Sequence, residues 1–127
     1  MNNPCILLYD PLSSPWVGKV KQYCAIQSLR LRVVERSQLS HSVGALARGT
    51  AAEPLSPSVP AVPEPVLVFC GLHGAQLDHM LAALRRMEVP RSVMKAVLTP
   101  TNAAWTFAAL YSELCRERSA VEGKPKL

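Results

Sequence analysis

Four short apolar runs divide the chain and are separated by segments with helical periodicity. The runs occupy residues 5–9, 29–35, 65–70 and 93–98, and proline, glycine or polar turn residues border them. Runs of this length and setting are typical of β-strands. The second run alternates apolar with polar residues, which predicts an edge strand with one face toward solvent. The third is continuously apolar and predicts a central strand covered on both faces.

The first half of the chain contains two helical patterns. Ser14 followed by Pro15 predicts a helix start, because serine caps helices and proline is favoured at the first helical position. This helix is expected to run to about residue 29. Residues 37–48 form a weaker pattern, and Gly44 lowers its helical propensity by about 1 kcal/mol relative to alanine.

The second half carries two clearer helical patterns. Apolar residues recur at helical spacing after residue 74, and Pro90 stops that helix. Thr101 or Asn102 is expected to cap the last helix. The last helix has an apolar stripe that predicts a buried face: Phe107, Leu110, Tyr111, Leu114 and Val121.

This alternation of strands and helices predicts an α/β fold. We expect a three-layer open sheet, mostly parallel, with four strands in the order 2-1-3-4 and helices on both faces. A ferredoxin-like α+β sandwich is the alternative. The length of 127 residues suits a single domain over residues 1–127. A proline-rich spacer at 49–65 would interrupt this domain, and a flexible tail would occupy 122–127.

The predicted spacer has a regular proline pattern. Pro54, Pro57, Pro60 and Pro63 are three residues apart, which matches the repeat of a polyproline II helix. A ligand for a proline-recognition domain and a semi-rigid spacer both fit. The spacer is favoured because no arginine lies at a suitable docking offset.

Composition and charge exclude several classes of protein. No apolar run approaches the roughly 18 residues that span a membrane, and the N-terminus lacks a basic leader, so a cytoplasmic location is expected. The net charge is +5, but it is diffuse, and this argues against nucleic-acid binding. The small clusters Arg30/Arg32/Arg36 and Arg85/Arg86 are interpreted as solvated surface. The four cysteines lie in apolar segments and are expected to be reduced and buried.

The C-terminal half resembles a known family. The matching residues are Val66-Leu-Val-Phe, Gln76-Leu-Asp, Lys95-Ala-Val-Leu-Thr-Pro-Thr-Asn followed by Trp105, and Glu113-Leu. From residue 64 to about 121 the chain resembles a small bacterial family known as domain of unknown function 3783. The resemblance implies a bacterial, intracellular protein. It brings no activity, cofactor or catalytic residue.

A candidate site follows from the predicted topology. Ligands of open α/β sheets bind beyond the carboxyl ends of the strands, and three loops would meet there. Helix N-termini in these loops favour a phosphate or carboxylate. No catalytic dyad, metal motif or cofactor fingerprint is present, although Cys70-x-x-His73 could form half of a zinc site. The candidate ligand-binding residues are Asp10, Ser13, Gly71, His73, Thr99, Thr101, Asn102 and Trp105.

Three functions remain open on this basis. The first is a non-catalytic module that binds or regulates an unknown protein partner, and the absence of catalytic motifs favours it. The second is binding of a small anionic metabolite or phosphate at the carboxyl edge of the sheet. The third is weak nucleic-acid binding through the diffuse basic surface. Enzymatic activity is not indicated by any motif.

Overall fold

The computed structural model describes residues 4–49 and 62–122, which build a four-stranded open sheet with the strand order β2-β1-β3-β4. The predicted strand order is therefore confirmed. The elements are β1 (Cys5–Tyr9), α1 (Val17–Ile26), β2 (Arg30–Val33), a first 3-10 turn (Arg36–Gln38), α2 (Val43–Arg48), β3 (Val66–Cys70), α3 (Ala75–Arg86), β4 (Met94–Val97), a second 3-10 turn (Asn102–Ala104) and α4 (Phe107–Glu122).

The direction of the strands divides the sheet into two halves. β1 is parallel to β2, and β3 is parallel to β4, but β1 and β3 are antiparallel, with Leu7 opposite Val68. The sheet is therefore mixed. The carboxyl ends of β1 and β2 lie at one end of the sheet, which we call the β1/β2 end. The carboxyl ends of β3 and β4 lie at the other, the β3/β4 end.

Helices cover both faces of the sheet, as predicted. Because successive strand residues point to opposite faces, β1 places Ile6 and Leu8 on one side and Leu7 and Tyr9 on the other. α1 and α3 pack on the first side, and α2 and α4 pack on the second. The central strands are buried along their whole length, which explains their continuous apolar sequences. None of the helices within the described residues combines the length and the apolar character needed to cross a membrane.

The two halves of the chain repeat one arrangement. Each half runs strand, helix, strand, 3-10 turn, helix, and the antiparallel β1–β3 pair relates them by an approximate twofold axis. The starts of α2 and α4 meet near this axis. There the amide of Val43 donates to the carbonyl of Trp105 at 2.8 Å, and the amide of Phe107 donates to that of His41 at 3.0 Å. The sequences at these starts are similar, Ser-Val-Gly-Ala-Leu at 42–46 and Thr-Phe-Ala-Ala-Leu at 106–110.

Two predicted helix caps are wrong. α1 begins at Val17 and not at Pro15, because the hydroxyl of Ser14 bonds Asp10 at 3.0 Å rather than a helix amide. α4 begins at Phe107, beyond the second 3-10 turn, so neither Thr101 nor Asn102 caps it. The hydroxyl of Thr106 accepts the amide of Ala109 at 3.0 Å and serves as the cap.

Parts of three predictions fall outside the described residues. These parts are residues 50–61 of the predicted spacer, residues 123–127 of the predicted tail, and the side chain of Val121 on the stripe of the last helix. The spacer and the tail stay predictions.

Candidate functional site

The predicted single site is divided between the two ends of the sheet. Asp10 and Ser13 follow β1 and lie at the β1/β2 end. Gly71 and His73 follow β3, and Thr99 follows β4, so these three lie at the β3/β4 end. The prediction that all three loops meet was wrong because it assumed that β1 is parallel to β3. With an antiparallel central pair, the carboxyl ends of β1 and β3 point in opposite directions.

Asp10 stabilises a turn and has little capacity left for a ligand. Its carboxylate accepts the backbone amides of Leu12 at 3.0 Å and Ser14 at 2.7 Å, as well as the Ser14 hydroxyl. Such bonds are the usual role of an aspartate in a turn. Ser13 is exposed and has a positive φ of 51° within this turn.

A cleft of about 610 Å³ lies at the β3/β4 end of the sheet. This volume is within the range of small-molecule binding sites. Three of the predicted site residues line it, namely Gly71, His73 and Thr99. They come from the loops that follow β3 and β4. That these residues bind a ligand stays a prediction.

Three arginines dominate the charge of this cleft. Arg30 and Arg32 are on β2, where their register partners on β1 are Cys5 and Leu7, and Arg48 is the last residue of α2. No Asp or Glu of the described residues lines the cleft, and none of the three arginines forms an ion pair with a described residue. The Nε atom of Arg32 is buried and has no hydrogen-bond partner. The cleft therefore has a concentrated positive charge.

Gly49 allows the guanidinium of Arg32 to lie against the end of α2. Gly49 is the C-cap of α2 and has a left-handed conformation with φ of 70°. A Cβ atom at this position would lie 2.6 Å from Nη1 of Arg32. Glycine is thus required both for the helix end and for the position of this arginine.

Two cysteines face each other beside the arginines. Cys5 begins β1, Cys70 ends β3, and the two are opposite each other in the ladder. Both line the cleft, and both are free thiols. A hydrogen bond from the Cys70 thiol lowers the pKa of Cys5 to about 7 against the opposing effect of burial, and the charges of Arg32 and Arg30 lower it further. The same contact and burial raise the pKa of Cys70.

The remaining predicted residues at this end do not line the cleft. Asn102 is buried, and its side chain accepts the Thr99 amide at 2.8 Å and donates to the Val97 carbonyl at 3.0 Å. Thr101 is exposed and does not line the cleft. Trp105 is half-buried and packs against the core beneath α2 and α4. The Thr99–Pro100 peptide bond is trans.

Other chemistry considered from the sequence has little support in the structure. Among residues 4–49 and 62–122, no group of three or more His, Cys, Asp or Glu side chains is arranged to hold a metal ion. Lys95 lies half-buried on β4, where its ammonium donates to the Val93 carbonyl at 3.0 Å, and burial lowers its pKa. This lysine is on an edge strand and does not line the cleft.

The arginines are the main feature that sequence reasoning missed. β2 is an edge strand and Arg30 is exposed, as the alternation predicts, but Arg32 is half-buried and Val34 is buried on the side of the sheet that α2 and α4 cover. The available signal was the spacing of Arg30 and Arg32. Residues two apart in a strand share a face, so these two cations had to lie side by side.

Comparison with known proteins gives one match. Residues 65–121 match the model of the family described as domain of unknown function (DUF3783). The match contains β3, α3, β4, the second 3-10 turn and most of α4, and it leaves out the half of the chain that supplies the three arginines and Cys5. No curated protein and no solved structure matches this chain.

Proposed function

We propose that this chain, whose residues 65–121 match the model of the domain of unknown function 3783 family, binds a small anion in the cleft at the β3/β4 end of the sheet. The observation that carries the proposal is the set of three arginines, Arg30, Arg32 and Arg48, in a cleft without a carboxylate among the described residues. Like charges held together are destabilising until an opposite charge joins them. A bound anion would relieve that repulsion.

The groups in the cleft favour a phosphate or carboxylate ligand. Arginine presents a planar fork of donors that matches both groups and binds them in a bidentate manner. The buried, unpaired Nε of Arg32 is a donor without a partner, and such donors are costly unless they are satisfied. His73 and Thr99 add an imidazole and a hydroxyl at the same cavity.

The other two functions have less support. The hypothesis of a module that binds or regulates a protein partner stays a prediction, and its support is the absence of catalytic motifs in the sequence. Nucleic-acid binding requires a basic track along the surface. The three arginines instead converge on one cavity, which suits a small ligand better. Catalysis is not part of this proposal.

Titration of the purified protein with inorganic phosphate tests anion binding. We expect phosphate to raise the melting temperature of the wild type, since a ligand that binds only the folded state stabilises it by mass action. Isothermal titration calorimetry then gives the affinity. Arg32→Ala should weaken binding about tenfold or more, because hydrogen bonds to charged groups contribute roughly 1.5–3 kcal/mol each. Arg91→Ala is the matched control, since Arg91 is exposed and precedes β4 at the β1/β2 end.

Three results would contradict the proposal. Phosphate that leaves the melting temperature unchanged shows that the cleft holds no such anion. If Arg32→Ala and Arg91→Ala lose the same affinity, the binding of phosphate depends only on the net charge of the protein. Tighter binding of a single-stranded oligonucleotide than of phosphate, with a steep dependence on salt, would favour the nucleic-acid function instead.

A further inference from the structure

The two cysteines of the cleft lie in positions from which their thiols could form a disulfide. Directly opposite residues of an antiparallel ladder project to the same face, with Cβ atoms about 4.5–5.5 Å apart. A disulfide requires a Cβ separation of about 3.5–4.5 Å. Cys5 and Cys70 are opposite residues, both thiols are free, and both residues line the cleft. A disulfide between them therefore needs only a small approach of the two strands.

Both residues are at strand termini, where such an approach is least constrained. Cys5 is the first residue of β1 and Cys70 is the last residue of β3. Beyond Cys70 the chain continues into Gly71, which has a positive φ of 75°. The thiol of Cys5 also donates to the carbonyl of Ala47 in α2 at 3.6 Å, a long contact that a sulfur atom can give up at little cost.

We propose that Cys5 and Cys70 form a reversible disulfide by thiol–disulfide exchange with a small disulfide that enters the cleft, with Cys5 as the attacking thiol. The inference goes beyond the proposed anion binding, because the exchange depends on the two sulfurs and not on a bound phosphate. A preference for disulfides that carry carboxylates does rest on the proposed anion cleft, since Arg30 and Arg32 would attract them.

The reaction proceeds in two balanced steps. The Cys5 thiolate attacks one sulfur of the external disulfide, whose S–S bond breaks, and the departing thiolate takes a proton from water. Cys70 then loses its proton to water and attacks the Cys5 sulfur of the mixed disulfide, whose S–S bond breaks, and the second departing thiolate takes a proton from water. The cysteine pair is oxidised by two electrons, and the external disulfide is reduced to two thiols.

The environment of each thiol assigns the order of attack. The neighbouring Cys70 and the two arginines favour the thiolate of Cys5, whereas Cys70 retains its proton. Cys24 provides the contrast within the same chain. It is buried between α1 and the sheet on the opposite face, and burial raises its pKa to about 11.

The proposal is tested in the Cys24→Ser/Cys115→Ser variant, which retains only the proposed pair. The reduced variant is incubated with oxidised glutathione, quenched with N-ethylmaleimide under denaturing conditions, and weighed by intact mass spectrometry. We expect a product that has lost two hydrogen atoms and takes up no maleimide, with a Cys5–Cys70 cross-link in the peptide map. Dithiothreitol should restore two reactive thiols.

Two further variants in this background test the roles of the thiols. Cys70→Ser should stop at a mixed disulfide on Cys5, because the resolving thiol is gone, and Cys5→Ser should react roughly tenfold more slowly than Cys70→Ser. Persistence of two free thiols, accumulation of doubly glutathionylated protein, or equal rates in the two variants would overturn the proposal. If either variant does not fold, the cross-linked peptide in the wild-type chain decides the question.

Neutral 2-hydroxyethyl disulfide separates the exchange from anion binding. Oxidation of the pair by both reagents at equal rates supports the exchange and counts against the anion cleft. Faster oxidation by glutathione disulfide that is lost in Arg32→Ala supports both. Failure with both reagents overturns the exchange, whatever the result of the phosphate titration.

Discussion

The two ends of the sheet are related by the approximate twofold axis. Side chains close the β1/β2 end, whereas residues 4–49 and 62–122 leave a cleft at the β3/β4 end. At the β1/β2 end, Glu64 forms a bidentate ion pair with Arg118 at 3.0 and 3.1 Å and also accepts the hydroxyl of Tyr111. The hydroxyl of Tyr9 donates to the Val62 carbonyl at 2.7 Å. At the β3/β4 end, the corresponding region is the basic cleft.

The difference arises from the lengths of two equivalent helices. α2 and α4 start side by side on the twofold axis and run toward opposite ends. α4 has 16 residues and carries Tyr111 and Arg118 over the β1/β2 end. α2 has 6 residues and ends at Gly49, so it covers little of the β3/β4 end. A duplicated scaffold can thus keep one end for stability while the other provides a cavity.

The largest expected effect comes from the residues that join both ends at the twofold axis. Phe107 begins α4, is fully buried and packs on Tyr9 with ring centroids 5.8 Å apart. Phe107→Ala should lower the free energy of unfolding by about 3–5 kcal/mol, because it leaves a large cavity. Val43→Ala, at the equivalent position of α2, should cost roughly 1–2 kcal/mol. Urea denaturation of both variants measures the difference, and equal losses would show that the two helices contribute alike.

The second comparison concerns the 3-10 turns at the two ends. Asn102 is buried and its side chain bonds Thr99 and Val97, whereas the equivalent Gln38 is partly exposed and accepts only the Glu35 amide at 2.9 Å. Asn102→Ala should destabilise the fold by about 1–3 kcal/mol, because it removes both hydrogen bonds that the buried side chain of Asn102 makes to the backbone of the turn. Gln38→Ala should cost no more than about 1 kcal/mol. Thermal unfolding checks this order.

Phosphate affinity shows whether Asn102 is also a ligand. Its bonds within the turn give it a structural role, so folded Asn102→Ala protein should bind phosphate nearly as well as the wild type. A loss of affinity as large as that of Arg32→Ala would restore Asn102 to the binding site as first predicted.

Most of the fold could be predicted from the sequence because the patterns that specify its strands and helices lie within short segments of the chain. The continuous runs at 5–9 and 65–70 require burial on both faces, and the short loops restrict the order of the strands. The direction of β3 relative to β1 could not be predicted. It depends on the path of the chain between α2 and β3, and the proline-rich composition there carries no directional signal. Because this direction was predicted wrongly, Asp10 and His73 were assigned to one site, whereas they lie at opposite ends of the sheet.

The lining of the cleft could be predicted only in part. Gly71, His73 and Thr99 were selected because they follow the carboxyl ends of β3 and β4, and they line the cleft, whereas their binding of a ligand stays a prediction. The arginines lie within β2 and at the end of α2, and they enter the cleft only through tertiary packing. Gly44 is a further example. It was read as weakening a helix, yet a Cβ atom there would lie 3.0 Å from the Ala103 carbonyl, so glycine lets α2 approach the second 3-10 turn.

The smallest expected loss of stability comes from a substitution at the β1/β2 end, and it depends on pH. Hydrogen bonds from Arg118 and Tyr111 lower the pKa of Glu64 below its ordinary value of 4.5. A depressed carboxyl pKa stabilises the fold above the unfolded pKa, and this contribution is lost as the pH falls through the lower folded value. Glu64→Gln should therefore cost about 0.5–1 kcal/mol near neutral pH and progressively less at acidic pH.

The difference in melting temperature between Glu64→Gln and the wild type should therefore decrease as the pH is lowered, and measurements between about pH 3 and pH 7 test this. Glu117→Gln is the matched control, since Glu117 is an exposed carboxylate of the same helix, α4. The control should parallel the wild type at every pH. If Glu64→Gln also parallels the wild type, the ion pair with Arg118 contributes nothing, and the closure of this end depends on the packing of α4 alone. If the two curves converge on the acid side in Glu64→Gln only, part of the closure depends on a charge pair that has no counterpart among the described residues of the β3/β4 end.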